Sequence, residues 1–126
     1  MTLEDFMDLM DVHAKYFKLS YQNSYHVSYS FEHPNITCSF CLFRFDSTSE
    51  KHALLVPYSF IHCFNEEINQ IVVTPAKQNK PAYSYTEYKK LINPSKDIII
   101  SEINNIVLQF KHFIADCKLA LINKDF

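Results

Sequence analysis

The 126 residues contain no glycine, where average usage would supply roughly nine. Phosphate-cradling loops, dinucleotide-binding turns and nucleophile elbows need glycine for φ > 0 or for close backbone approach to a ligand, so this absence excludes them. Arginine is nearly missing too: Arg44 stands alone beside eleven lysines. Bidentate contacts to bases and phosphates are therefore scarce, and nucleic acid is not the expected partner. No apolar run approaches the roughly 18 residues of a membrane span. The opening Met1-Thr2-Leu3-Glu4-Asp5 is acidic and carries no positively charged segment with an apolar core behind it. These features predict a cytoplasmic chain with no membrane contact.

Ile, Asn, Lys, Tyr and Phe together supply 51 of 126 residues. Their codons are A/T-rich, a bias shared by phage, mobile-element and low-GC bacterial genes, so the composition points to an accessory protein. Apolar residues make up 48% of the chain, enough for one self-sufficient core spanning residues 1–126 without metal or disulfide support. A net charge of −2 gives no global field for nucleic acid. Cys38, Cys41, Cys63 and Cys117 are expected as reduced, separately packed thiols.

Thr2 stands three residues ahead of Asp5 in the manner of a capping box, and Leu3, Phe6, Met10, His13 and Phe17 follow at helical spacing. The pattern predicts a helix over 3–18, with Glu4, Asp5, Asp8 and Asp11 on its polar side. From Tyr25 to Glu32 the period becomes two, a strand with Tyr25, Val27, Tyr29 and Phe31 on one face. His33-Pro34-Asn35 reads as a turn into a second strand over 36–45, and His52 to Tyr58 as a third, giving a meander within 21–58. Ser59 caps an expected short helix through Phe60, Ile61, Phe64 and Ile68, and Ile71 to Thr74 form a further strand. Residues 75–81 read as an exposed loop, and 83–88 as an edge strand or a helical turn. Ile99, Ile103, Ile106, Phe110, Phe113 and Cys117 mark a long helix from about Pro94 or Ser101 to Ile122. That seam suits packing on a sheet, or a dimer.

The expected fold is α+β: an N-terminal helix, an antiparallel sheet of three to five strands, and a long C-terminal amphipathic helix packed on it. The order is similar to that of secretion-chaperone domains and of small toxin-immunity and anti-defence inhibitors, a likeness of topology that rests on no shared motif.

Cys38-Ser39-Phe40-Cys41 has zinc-knuckle spacing, but on a regular strand the two thiols point to opposite faces, so no metal is expected. His62 beside Cys63 is adjacent only in sequence, which does not make a catalytic pair. A small Cys/His enzyme is thus the weaker alternative, and no catalytic residue or cofactor is assigned. Lys77, Lys80, Lys89, Lys90 and Lys96 around Tyr83, Tyr85 and Tyr88 form the one segment suited to nucleic acid, a second alternative. The leading expectation is a non-enzymatic protein that binds a protein partner, of inhibitor, immunity or chaperone type. Its partner-binding residues are Asp8, Asp11, Tyr83, Tyr85, Tyr88, Lys89 and Lys90, with a homodimer through the C-terminal helix or the sheet as a further expectation.

Overall fold

In a computed structural model of the chain, which describes residues 1–13, 16–38, 41–48, 51–75 and 88–124, Thr2 and Asp5 form the capping box that starts α1 (Leu3–His13). The Asp5 amide donates to Thr2 Oγ1 and the Thr2 amide to Asp5 Oδ2, each at 3.1 Å. Phe6, Leu9 and Met10 are the buried side of this helix. It is shorter than the spacing suggested. Phe17, which continues the helical pattern, instead opens β1 (Phe17–Gln22), a strand with no alternation of burial to announce it.

The main sheet has the order β1-β2-β4-β5-β8, built from β1, β2 (His26–Phe31), β4 (Phe43–Ser47), β5 (His52–Pro57) and β8 (Tyr88–Ile92). All its pairings are antiparallel. The expected second strand over 36–45 is two elements. β3 (Ile36–Thr37) leaves the main sheet to pair in parallel with β7 (Gln70–Pro75), and the chain returns as β4. The diversion is fixed at the His33-Pro34-Asn35 turn, where Asn35 O accepts from the Ile71 amide at 2.9 Å and Pro34 O from Gln70 Nε2 at 2.7 Å.

The helix expected after Ser59 is a strand, β6 (Phe60–Asn65), paired antiparallel with β7. The apolar residues 60, 61, 64 and 68 fit a helical template, but the hairpin to β7 supplies the backbone partners and prevails. Its turn is closed by Asn69 at φ 54, one of two left-handed residues among those described, the other being Asn93 at φ 48. Asparagine tolerates this region better than most residues and takes it here in a chain without glycine.

The long helix is α2 (Lys96–Lys124). Ser95 caps it, its Oγ accepting from the Ile98 amide at 3.3 Å. Ile99, Ile103, Ile106, Phe110, Phe113 and Cys117 are all buried, so the apolar seam faces the chain's own sheets. Phe110 joins both of them, with its ring 4.4 Å from Phe31 of β2 and 5.5 Å from Phe60 of β6. At the other end of the core Phe6 of α1 stacks on Phe45 of β4 at 4.6 Å. The fold is α+β as the sequence predicts, with a second, smaller sheet that it does not.

Candidate functional site

The register of the main sheet places His52, Leu54 and Val56 of β5 on the helix side, opposite Ser47, Phe45 and the inward residues of β8. Leu54 and Val56 are buried, whereas His52 is half-buried at the strand's start. There it meets α1 on one side and the β8–α2 turn on the other. Its ring tilts against Phe45 at 5.6 Å, and its Nε2 lies 3.0 Å from Pro94 O. A carbonyl only accepts, so Nε2 carries the proton in that contact.

Between these elements lies a groove of about 690 Å³. Met1, Leu9, Val12 and Pro94 form an apolar lining, and Asp5, Asp8, His13, His52 and Lys96 supply the polar atoms. Asp5 and Asp8 are three residues apart, and Asp8 and Val12 four, so they share one helix face. Hydrogen bonds from Thr2 hold the Asp5 carboxyl below the usual carboxylate range, with help from the N-terminal ammonium and Lys96. His13 also lines a smaller pocket with Tyr16, Val107 and Lys111, which extends the groove along the α1–α2 junction.

Asp8 is therefore a groove residue. Asp11, three residues on, is exposed outside the groove lining, and with Asp8 it lies close enough to Tyr29 to oppose ionisation of that phenol. Burial is the larger cause, and together they push the Tyr29 hydroxyl up to about 12. Tyr83 and Tyr85 lie outside the described residues, as do Lys77 and Lys80. Tyr88, Lys89 and Lys90 sit on β8, at the sheet edge opposite β1. Their side chains do not form one patch. The Tyr88 hydroxyl donates to Cys41 O at 2.7 Å, Lys89 Nζ meets Glu102 Oε1 of α2 at 2.7 Å on the helix side, and Lys90 is exposed on the face opposite Lys89.

His13, His52, Pro94 and Lys96 complete the groove; sequence reasoning names Lys96 only within the lysine-tyrosine segment and joins none of the four to Asp8. His52 and Pro94 are 42 residues apart, and only the pairing of Ala53 with Ile92 brings them together. The available signal was Asn93-Pro94-Ser95 ahead of the helical seam, a turn and cap that mark a helix start without saying what faces it.

No thiol or hydroxyl side chain lines this groove among the described residues. Cys38 and Cys41 occupy the β3–β4 connection rather than opposite faces of one strand; both are half-buried, Cys63 is exposed and Cys117 buried, all as free thiols. Burial pushes the Cys41 and Cys117 thiols up, the reverse of nucleophile activation. Among the described residues no three His, Cys, Asp or Glu side chains are grouped to hold a metal ion. No described helix is long and apolar enough to cross a membrane. No protein-family model, curated protein or solved structure matches the chain.

Proposed function

We propose that the chain is a non-enzymatic accessory protein of the cytoplasm that binds a protein partner, as an inhibitor, immunity or chaperone-type protein. It seats a basic, amphipathic segment of that partner in the groove between α1 and the start of α2. The observation that carries this reading is the pairing of an apolar lining with a carboxylate rim: Leu9, Val12 and Pro94 beside Asp5 and Asp8. A lysine or arginine side chain matches both, laying its methylene stem along Val12 and Pro94 while its cation reaches the carboxylates. Val12 is 76% exposed, an apolar residue held in solvent where such a stem would cover it. The A/T-rich composition favours an origin in a phage or mobile element for such an accessory protein.

A nuclease-treated pull-down from the native host tests the reading, with the wild-type chain compared against Asp8→Lys/Val12→Glu. Both positions are exposed, so the variant folds with little change in stability. A protein retained at stoichiometric level by the wild type and lost with the variant is the expected result. Equal retention by both removes the groove from the interface, and retention of nucleic acid alone before nuclease treatment replaces the reading.

A further inference from the structure

Helix α1 carries four carboxylates, Glu4, Asp5, Asp8 and Asp11, and the structure gives them different surroundings. Glu4 lines a separate hollow with Thr2, Ser24 and Tyr25, beside the turn between β1 and β2. Asp11 lies outside the groove lining. Asp5 is in the groove but already engaged, since its Oδ2 accepts from the Thr2 amide at 3.1 Å. Hydrogen bonds from Thr2 are the chief reason its carboxyl stays ionised, and the positive charge of Lys96 adds to them. That leaves Asp8. It lines the groove and is exposed, and among the described residues no hydrogen bond or ion pair engages its carboxylate.

We infer that the groove takes one cation, seated at Asp8, and selects a partner segment with a single lysine or arginine among apolar residues rather than a polybasic run. The inference rests on the groove being the partner site and names what that site reads. Val12 follows Asp8 by one helical turn, which sets their Cβ atoms about 5–6 Å apart. The stem of one basic side chain covers that span, so a cation on Asp8 lays its methylenes over the exposed Val12.

A second cation finds no equivalent seat. At Asp5 it competes with the Thr2 amide for the carboxylate and approaches Lys96, a like charge in the first turn of α2. Lys96 therefore discriminates by repulsion, a device that lowers affinity for the wrong partner without adding any for the right one. Elsewhere the lining is Met1, Leu9 and Pro94, and a further charge placed against it loses water and gains no partner.

Panning a display library of random peptides on the full chain tests the inference. Affinities of the enriched peptides are then measured for the wild type, Asp8→Asn, Asp5→Asn and Lys96→Gln. The expected consensus is one lysine or arginine flanked by apolar residues. Asp8→Asn should weaken its binding about tenfold or more, as the loss of a charge-assisted contact does. Asp5→Asn should stay within about twofold, because the amide oxygen still accepts from Thr2 and the position is exposed. Lys96→Gln should narrow the preference for singly over doubly basic peptides. A polybasic consensus, an Asp5→Asn loss equal to that of Asp8→Asn, or an unchanged preference in Lys96→Gln overturns the inference and leaves the groove as the partner site. Enriched peptides that bind Asp8→Lys/Val12→Glu as well as the wild type, or no enrichment at all, remove the groove itself and the inference with it.

Discussion

Asn93 and His52 exchange two hydrogen bonds at the end of the β5–β8 ladder: the Asn93 amide donates to His52 O at 2.7 Å, and the His52 amide donates to Asn93 Oδ1 at 2.9 Å. Asn93 is left-handed, with φ 48. One residue thus reverses the chain between β8 and α2 and fixes His52 and Pro94 as a wall of the groove.

Replacing Asn93 separates its two roles. Asn93→Gly keeps the backbone conformation and loses the side-chain acceptor, which costs about 1 kcal/mol. Asn93→Ala also suffers the steric cost of a left-handed Cβ and should lose about 2 kcal/mol in all. Urea denaturation of both variants checks the order; a less stable glycine variant would show that backbone strain is not limiting there.

The pair between Lys89 and Glu102 joins β8 to α2, with Lys89 about one-third exposed and Glu102 more buried. Lys89→Met leaves the Glu102 carboxylate without its cation and should cost about 1–2 kcal/mol, less than a fully buried pair because water reaches Lys89. The double variant Lys89→Met/Glu102→Leu should recover most of that loss. A double-mutant cycle by chemical denaturation gives the answer, and additive losses would mean that the two side chains are not coupled.

Acid should loosen the turn that diverts the chain into the smaller sheet. His33 Nδ1 accepts from the Asn35 amide at 3.0 Å, and burial holds the imidazole below its ordinary value of 6.5. A base whose folded pKa is depressed contributes stability that is fully present above 6.5 and lost as pH falls through the lower folded value. Protonation also removes the acceptor that Asn35 uses. Denaturation midpoints measured at neutral pH and at pH about 5 should fall for the wild type, and fall less for His33→Asn. An identical fall in both would move the cause to other groups.

Alkaline conditions act in the opposite sense on two tyrosines. Burial pushes the Tyr29 and Tyr88 hydroxyls from 10.0 up to about 12. A raised folded pKa means stability that is complete below 10 and declines as pH rises toward 12. Ultraviolet titration of tyrosinate should show a late fraction among the eight tyrosines, reduced in Tyr29→Phe and again in Tyr88→Phe. Titration of all rings near the ordinary value would contradict the burial of both.

Local patterning made much of the fold legible. The capping box of Thr2 and Asp5, the alternation of β2 and the seam of α2 are signals contained within one element, and each appears in the structure where the spacing puts it. Three elements were misread for one reason. Phe17 continues a helical period, residues 36–45 continue an extended pattern, and residues 60–68 carry helical spacing, yet pairing with β2, β7 and β6's hairpin partner decides each case. Backbone partners distant in sequence leave no periodicity behind.

The candidate site divides in the same way. Its acidic half, Asp5 and Asp8 on one face of α1, is a property of helical spacing and could be read directly. Its other half, His52, Pro94 and Lys96, exists only because β8 pairs with β5 and the Asn93 turn sends α2 back across the sheet. By itself, then, the sequence determined the element types wherever a single element's side-chain period sufficed, and it excluded glycine-dependent sites through composition. The tertiary structure alone decided which lysines are consumed by ion pairs and which residues wall the groove, because those follow from long-range hydrogen bonds whose partners no local pattern encodes.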